Sequence, residues 1–250
     1  MCPSAPTIFS AADASDAADE TCTSRKGMCT SREGTCRIGG LGLTQEALDI
    51  CGFVPGSSLA DIGCGNGATV RYLRAAGFDA TGLDRDEEII TQAGPHCRLG
   101  DSSCLPYQDK SLDGLFFECS FSQMQGINTA QEPKLGQVLT EARRVLKSDG
   151  KLIISDLYFR NERYGGFLQS RSEWIKTITK ADFTVILFED KSVGFAEAAA
   201  QLLWQHGGEK VKELCGCGMD ELKAGRCGYF LLIAHPTTEP KVAAVQKEES

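Results

Sequence analysis

Basic charge is in short supply. In 250 residues, 26 Lys and Arg stand against 34 Asp and Glu, a formal net charge of −8, and the pI is near 5.0. Such a chain has no general basic footprint, and it shows no basic trough, aromatic cage or tRNA-binding extension, so nucleic acid is not an expected partner. Long apolar runs are missing too. The longest, Phe183 to Phe188 and Tyr229 to Ala234, fall far short of the roughly 18 residues that span a bilayer, and no membrane association is expected. Met1-Cys2-Pro3-Ser4-Ala5-Pro6 offers neither the basic start nor the apolar run of a signal peptide, so a cytoplasmic protein is the expectation. Histidine is scarce: His96, His206 and His235 share no spacing and no carboxylate pattern, which points to surface or structural roles.

Glycine and cysteine are plentiful. The 27 glycines exceed the average of about 7%, which implies tight loops. The twelve cysteines stay below the roughly 8–10% of a disulfide scaffold. In a reducing compartment they are expected to be free, metal-bound or catalytic rather than paired. A hydrophobic share of 42% suffices for one sizeable core.

Composition divides the chain into three. Residues 1–36 are rich in Ala, Ser, Thr and Asp, and carry a seven-residue repeat with cysteines at 22, 29 and 36; so little apolar surface predicts disorder. Residues 37–236 form the expected domain, and 237–250 a flexible tail. Within the domain, strands and helices alternate. A helix with Thr44 as its N-cap runs to Cys51. Strands are predicted near 59–62, 78–84, 97–99, 113–118, 151–157, 183–189 and 227–234. Leu135, Val138, Leu139, Ala142 and Leu146 mark one face of a helix over 133–146. Further helices are predicted to about Ala76, over 86–93 and 172–180, and around Phe195, Ala198, Ala199, Leu202 and Leu203. The alternation predicts a single doubly wound α/β domain, its sheet mainly parallel, with helices on both faces.

Asp61-Ile62-Gly63-Cys64-Gly65-Asn66-Gly67 lies where the first strand turns into a helix. Three glycines allow a tight turn and close approach of a ligand, and the helix start presents unpaired N–H groups. Gly63 to Ala68 also satisfies the dinucleotide pattern, with Asp84 some way beyond, so a nicotinamide-dependent oxidoreductase stays open on this feature alone. Two features tilt the choice. Asp61 beside the loop suits an ammonium group better than a pyrophosphate. Gly100-Asp101-Ser102 after the third strand could meet an adenine amine.

With these residues the chain resembles the class I S-adenosylmethionine-dependent methyltransferases, in particular the small ones grouped with ubiquinone-pathway enzymes. Asp61 to Gly67 is similar to the family's first motif, Gly82-Leu83-Asp84 to its second and Gly100-Asp101-Ser102 to its adenine-side motif. Arg144-Val145-Leu146-Lys147-Ser148-Asp149-Gly150 resembles the turn before the fifth strand, with Ser148-Asp149 in place of the usual Pro-Gly. The resemblance covers about residues 40–236. It implies a Rossmann-like seven-stranded sheet with an antiparallel last strand and S-adenosyl-L-methionine as methyl donor. It further implies that Gly63, Cys64, Gly65 and Gly67 approach the methionine and ribose, and that Asp61 places the amino group. Asp84 would accept from the ribose hydroxyls, and Asp101 and Ser102 would meet the adenine.

Methyl transfer from a sulfonium is an in-line displacement that needs alignment and exclusion of water, with a general base only for a protonated acceptor. The acceptor belongs beyond the strand ends, which places Glu118 as base or positioning residue and Cys119 in the pocket, with Asp156 and Tyr158 as weaker candidates. A small-molecule acceptor is expected. Cys215-Gly216-Cys217-Gly218 could bend around a soft ion, although neither this pair nor the repeat has ordinary zinc spacing. An arsenite methyltransferase using cysteine thiolates, or a noncatalytic thiol- or metal-handling protein on the same fold, is therefore the alternative.

Overall fold

The structure, a computed structural model, describes residues 29–30, 36–37, 40–125, 135–161, 168–193, 204, 220 and 224–238. The predicted helix around 195–203 and the Cys215–Cys217 pair lie outside them. Seven strands form one sheet: β1 (Ser58–Ile62), β2 (Asp79–Asp84), β3 (Cys97–Leu99), β4 (Leu112–Glu118), β5 (Leu146–Phe159), β6 (Phe183–Asp190) and β7 (Cys227–Pro236). Their order is β3-β2-β1-β4-β5-β7-β6. β1 to β5 run parallel, while β7 is antiparallel to both β5 and β6. The last strand thus slots between two earlier ones, as a mainly parallel, doubly wound sheet with one reversed strand requires. Outside the sheet, Cys29–Thr30 pairs antiparallel with Cys36–Arg37.

Alternation along the strands builds a core on each face. Leu59, Phe116, Ile153, Leu231 and Ile233 face α1 (Gly40–Cys51) and α2 (Ala68–Ala75), which contribute Leu43, Ala47, Leu48, Val70 and Leu73. Ala60, Ile62, Leu115, Phe117, Leu152 and Ile154 face the other way. That side is covered by α4 (Leu135–Val145), through Val138, Leu139, Ala142 and Val145, and by α5 (Arg171–Lys180), through Trp174 and Ile178. The short α3 (Glu87–Ile90) lies between β2 and β3. The heptad-like apolar spacing of α4 is therefore a true core face. A capping box between Ser170 and Glu173 fixes the start of α5.

Three boundaries differ from the sequence reading. Thr44 is not an N-cap: α1 begins at Gly40, and Thr44 is a buried residue inside it. The reason is tertiary, because its hydroxyl serves Glu118 on β4. α3 is only four residues long, capped by Asp86, whose carboxylate accepts from Glu88 N and Ile89 N. β5 starts at Leu146, since Leu112 pairs with Leu146 and Gly114 with Lys151, and the Ser148-Asp149 turn is absorbed as an irregularity between those pairs.

Arg144 ties the loop before β4 to α4. Its guanidinium donates to both oxygens of Glu141 at 2.9 and 2.7 Å and to the carbonyls of Leu105 and Tyr107 at 2.8 Å. Cysteine chemistry also departs from expectation. Cys51, Cys64, Cys97 and Cys119 are free, but Cys104 and Cys227 are disulfide-bonded. The expectation of unpaired thiols fails for those two.

Candidate functional site

The order in which the chain lays down its parallel strands reverses between β1 and β4, which are neighbours in space but not consecutive in sequence. A crevice at such a switch point, beyond the carboxyl ends of the strands, is where open α/β sheets bind ligands. Two segments flank it here: the glycine loop after β1 and the segment after β4.

Gly63, Gly65 and Gly67 have φ of 77°, 52° and 75°, the left-handed region that side chains avoid. Two of the three are also needed for space, for a reason the sequence did not reveal. A β-carbon on Gly63 would overlap Ser120 Cβ and lie 2.9 Å from its Oγ. One on Gly67 would overlap the Ala93 carbonyl oxygen and lie 2.9 Å from Cys97 Sγ. The loop is thus packed tightly against its own protein at both ends. Gly63 N and Cys64 N both donate to Leu83 O, at 2.7 and 3.1 Å, which fastens the loop to β2. Gly67 caps α2 without a side chain.

Asp84, at the end of β2, turns back toward this loop. Its Oδ2 accepts from Gly65 N at 2.8 Å, and its Oδ1 from Asp86 N at 3.0 Å. Asp61 is buried near the end of β1, in register with Gly82 of β2 and Phe116 of β4. Asp61, Asp84 and the loop glycines therefore lie together at the carboxyl ends of β1 and β2. Asp101 stands further out, exposed, and its Oδ1 accepts from Ser103 N at 2.7 Å and Ser103 Oγ at 2.6 Å. It builds a turn in which Ser102 is buried.

The segment after β4 is equally ordered. Glu118 ends β4 with both oxygens engaged: Oε1 accepts from Thr44 Oγ1 at 2.8 Å and Oε2 from Thr69 Oγ1 at 2.7 Å. One carboxylate thus holds α1 and α2 to the strand. Cys119 has φ 54°, an uncommon conformation for a side-chain-bearing residue. Its N–H donates to Ser155 O at 2.8 Å, and its Sγ lies 3.0 Å from Tyr229 Oη. Tyr229 Oη in turn donates to Ser155 O at 3.1 Å. Burial pushes the Tyr229 phenol well above its ordinary range, with the neighbouring Cys119 adding to the rise. Ser120 Oγ donates to Ile62 O at 2.7 Å, bridging the two segments across the switch point.

The two weaker candidates are held by contacts within the fold. Asp156 is buried and accepts from Ser122 N at 2.7 Å, Ser122 Oγ at 2.8 Å and Leu157 N at 2.7 Å. Burial raises its carboxyl despite these bonds. It holds the segment after β4 from below, a role that sequence spacing could not show. Tyr158 packs edge-on to Phe188 and Phe230, at centroid distances of 5.6 and 5.9 Å. His96 offers its carbonyl to Gly82 N at 2.9 Å. Among the described residues, no group of three or more His, Cys, Asp or Glu could hold a metal ion, and no helix is long and apolar enough to cross a membrane.

The donor set fits an adenosine-bearing amino acid. Carboxylates stand at the ends of adjacent strands, a left-handed glycine loop lies between them, and the start of α2 adds its N-terminal field. Residues 60–154 match the family described as a methyltransferase domain. The chain is 29% identical over 162 residues to 24-methylenesterol C-methyltransferase 3 of Arabidopsis thaliana, covering 60% of this chain and 45% of that protein. The chain thus spans less than half the length of that relative. In fold it is similar to the [4+2]-cyclase SpnF, with a TM-score of 0.63 and 20% identity over 86% of this chain and 88% of the other. It is also similar to geranyl diphosphate C-methyltransferase from Streptomyces coelicolor A3(2), solved with Mg2+, geranyl diphosphate and S-adenosyl-L-homocysteine. There the TM-score is 0.60, with 17% identity over 78% of this chain and 79% of that one. The chain carries a class I S-adenosylmethionine-dependent methyltransferase domain.

Proposed function

We propose that the protein binds S-adenosyl-L-methionine at the β1–β2 edge and transfers its methyl group in line to a small-molecule acceptor held beyond β4. The observation that carries this reading is the Asp84–Gly65 bond of 2.8 Å. It makes one carboxylate both the brace of the glycine loop and the group at the end of β2 that a ribose diol would meet. A carboxylate oxygen has two lone pairs, so the loop N–H leaves Asp84 with acceptor capacity for hydroxyls. When bound, the cofactor supplies an activated methyl on a sulfonium centre.

The chain's own residues then align and desolvate. Asp61 faces the cofactor amino group, Gly63, Cys64, Gly65 and Gly67 approach the methionine and ribose, and Asp101 with Ser102 borders the adenine. Glu118 orients the acceptor side through Thr44 and Thr69, and its remaining lone pairs can take a proton from an acceptor that carries one. Cys119 lines the same end. The named relatives act on a methylenesterol and on geranyl diphosphate, and a small molecule is the acceptor class proposed here.

Calorimetric titration tests the cofactor assignment. Wild-type protein is expected to bind S-adenosylhomocysteine and not NAD, and Asp84→Ala to lose about 1–3 kcal/mol of that affinity. Tight NAD binding without S-adenosylhomocysteine binding would overturn the reading. A screen of hydroxyl, amine, thiol and carbon acceptors with labelled methyl donor then identifies the acceptor.

A further inference from the structure

Two free thiols meet over a glycine. Gly82 lies on β2, in register with Cys97 of β3 on one side and Asp61 of β1 on the other. A β-carbon on Gly82 would lie 2.7 Å from Cys64 Sγ and 2.8 Å from Cys97 Sγ. The sulfurs therefore reach across β2 from opposite sides and share the space a side chain would fill. Each perturbs the other's ionisation, and Cys64 Sγ has Gly65 O within 3.8 Å.

The pair is asymmetric. The neighbouring Cys97, with burial and the nearby Asp61, raises the Cys64 thiol. Cys64 in turn lowers the Cys97 thiol against the opposing effect of burial, and Arg71 adds to the lowering. Cys64 is buried and Cys97 only partly so. Cys97 is thus both the better thiolate and the one an oxidant reaches first. With no third metal-ligating side chain grouped there among the described residues, the chemistry open to the pair is that of a dithiol. The same chain holds Cys104 and Cys227 in disulfides, so oxidation of its cysteines is part of its structure.

We propose that Cys64 and Cys97 form a redox-sensitive dithiol whose closure to a disulfide disables the cofactor loop. The Cys97 thiolate attacks one sulfur of a small-molecule disulfide and releases one thiol. Cys64 then gives up its proton and attacks Cys97 of the mixed disulfide, releasing the second thiol. Two protein thiols are oxidised and one external disulfide is reduced to two thiols, so electrons and protons balance.

The consequence is geometric and rests on the cofactor reading above. A disulfide brings the sulfurs to about 2.05 Å, closer than two free thiols can stand. Cys64 must therefore move toward β3. It sits between Gly63 and Gly65, at φ 77° and 52°, which can absorb the change. The movement pulls Gly65 N from Asp84 Oδ2, the bond that braces the site.

The test uses the full chain, reduced and then treated with oxidised glutathione, followed by tryptic mapping under non-reducing conditions and by S-adenosylhomocysteine titration. A peptide cross-linked through Cys64 and Cys97 is expected, with affinity at least about tenfold weaker and restored by dithiothreitol. Cys97→Ser is expected to bind in the reduced state and to keep its affinity under oxidant. If reduced wild type binds and both thiols remain alkylatable after oxidant, the switch is overturned. A cross-link that leaves affinity unchanged also overturns it. If the cross-link forms but reduced protein binds no S-adenosylhomocysteine, the dithiol stands and the cofactor reading fails.

Discussion

Thr44 Oγ1 donates to Glu118 Oε1 at 2.8 Å across 74 positions of sequence. The bond couples the first helix of the domain to the end of β4, beyond which we propose that the acceptor sits. Thr69 completes the clamp from α2 at 2.7 Å. Replacing Thr44 by Val keeps shape but removes the donor, and it is expected to cost about 1–2 kcal/mol, as for a lost hydrogen bond to a charged group. Urea unfolding checks this as a fall in midpoint at unchanged slope. Glu118→Ala should cost less than the Thr44→Val and Thr69→Val losses added together, because both hydroxyls share it as partner. Additive losses would show that the clamp does not act as a unit.

Glu141 supplies a pH dependence. The Arg144 guanidinium holds its carboxyl below the ordinary value of 4.5, against the opposing effect of burial, with Leu105 N adding a bond. A depressed folded value means that the carboxylate stabilises the fold fully above 4.5, and that this contribution is lost as pH falls from there through the folded value. Glu141→Gln should therefore lower stability at neutral pH by about 1–2 kcal/mol and flatten the acid limb below pH 4.5. Thermal unfolding of both proteins between pH 3 and pH 7 measures it, those limits being about the range over which carboxylates titrate. An unchanged acid limb would remove Glu141 from the account.

Much of the architecture was legible because burial in a two-sided sheet leaves a strong local trace. The run Leu115-Phe116-Phe117 reads as a buried strand and is one, and the Leu135 to Leu146 spacing gives a helix whose apolar face is core. The glycine loop was legible for the right conformation but an incomplete reason, since Gly63 and Gly67 yield space to Ser120 and Ala93 rather than to a ligand alone. What stayed hidden depends on contacts distant in sequence. Thr44 looks like a cap because its partner is on β4, and Asp156 looks like a pocket residue because nothing nearby in sequence announces Ser122 above it. The meeting of Cys64 and Cys97 needs the register of three strands, which a linear reading of the chain does not contain.

Asp101 separates turn building from ligand contact. Both Ser103 donors go to its Oδ1, and an asparagine offers the same oxygen. Asp101→Asn should preserve the turn and leave unfolding within about 0.5 kcal/mol of wild type, as for a surface change. If the carboxylate also meets the adenine amine, Asp101→Ala weakens S-adenosylhomocysteine by about three- to tenfold more than Asp101→Asn does, the scale of a hydrogen bond of ~1 kcal/mol. Equal affinities of the two variants would confine Asp101 to the turn.

Gly63 and Gly94 give a matched pair for the loop. Both have positive φ, 77° and 89°, so alanine at either carries a similar backbone strain of about 1–2 kcal/mol. Around Gly94 an added β-carbon meets nothing within 4 Å, whereas at Gly63 it overlaps Ser120, whose hydroxyl is tied to Ile62 O at 2.7 Å. Ser120 is buried and bonded, so it cannot swing away without breaking the bridge between the segments after β1 and β4. Gly94→Ala should therefore show the strain alone, and Gly63→Ala should lose a further ~1–3 kcal/mol from overpacking. Only Gly63→Ala is expected to abolish S-adenosylhomocysteine binding while the protein remains folded by circular dichroism. Ser120→Gly frees the space but also removes its bond to Ile62 O, so the double variant is compared with Ser120→Gly alone, and a smaller cost of Gly63→Ala in that background ties the excess to this one contact. If Gly63→Ala costs as much with Ser120→Gly as without it, backbone strain accounts for the whole effect and the steric reading of the loop falls.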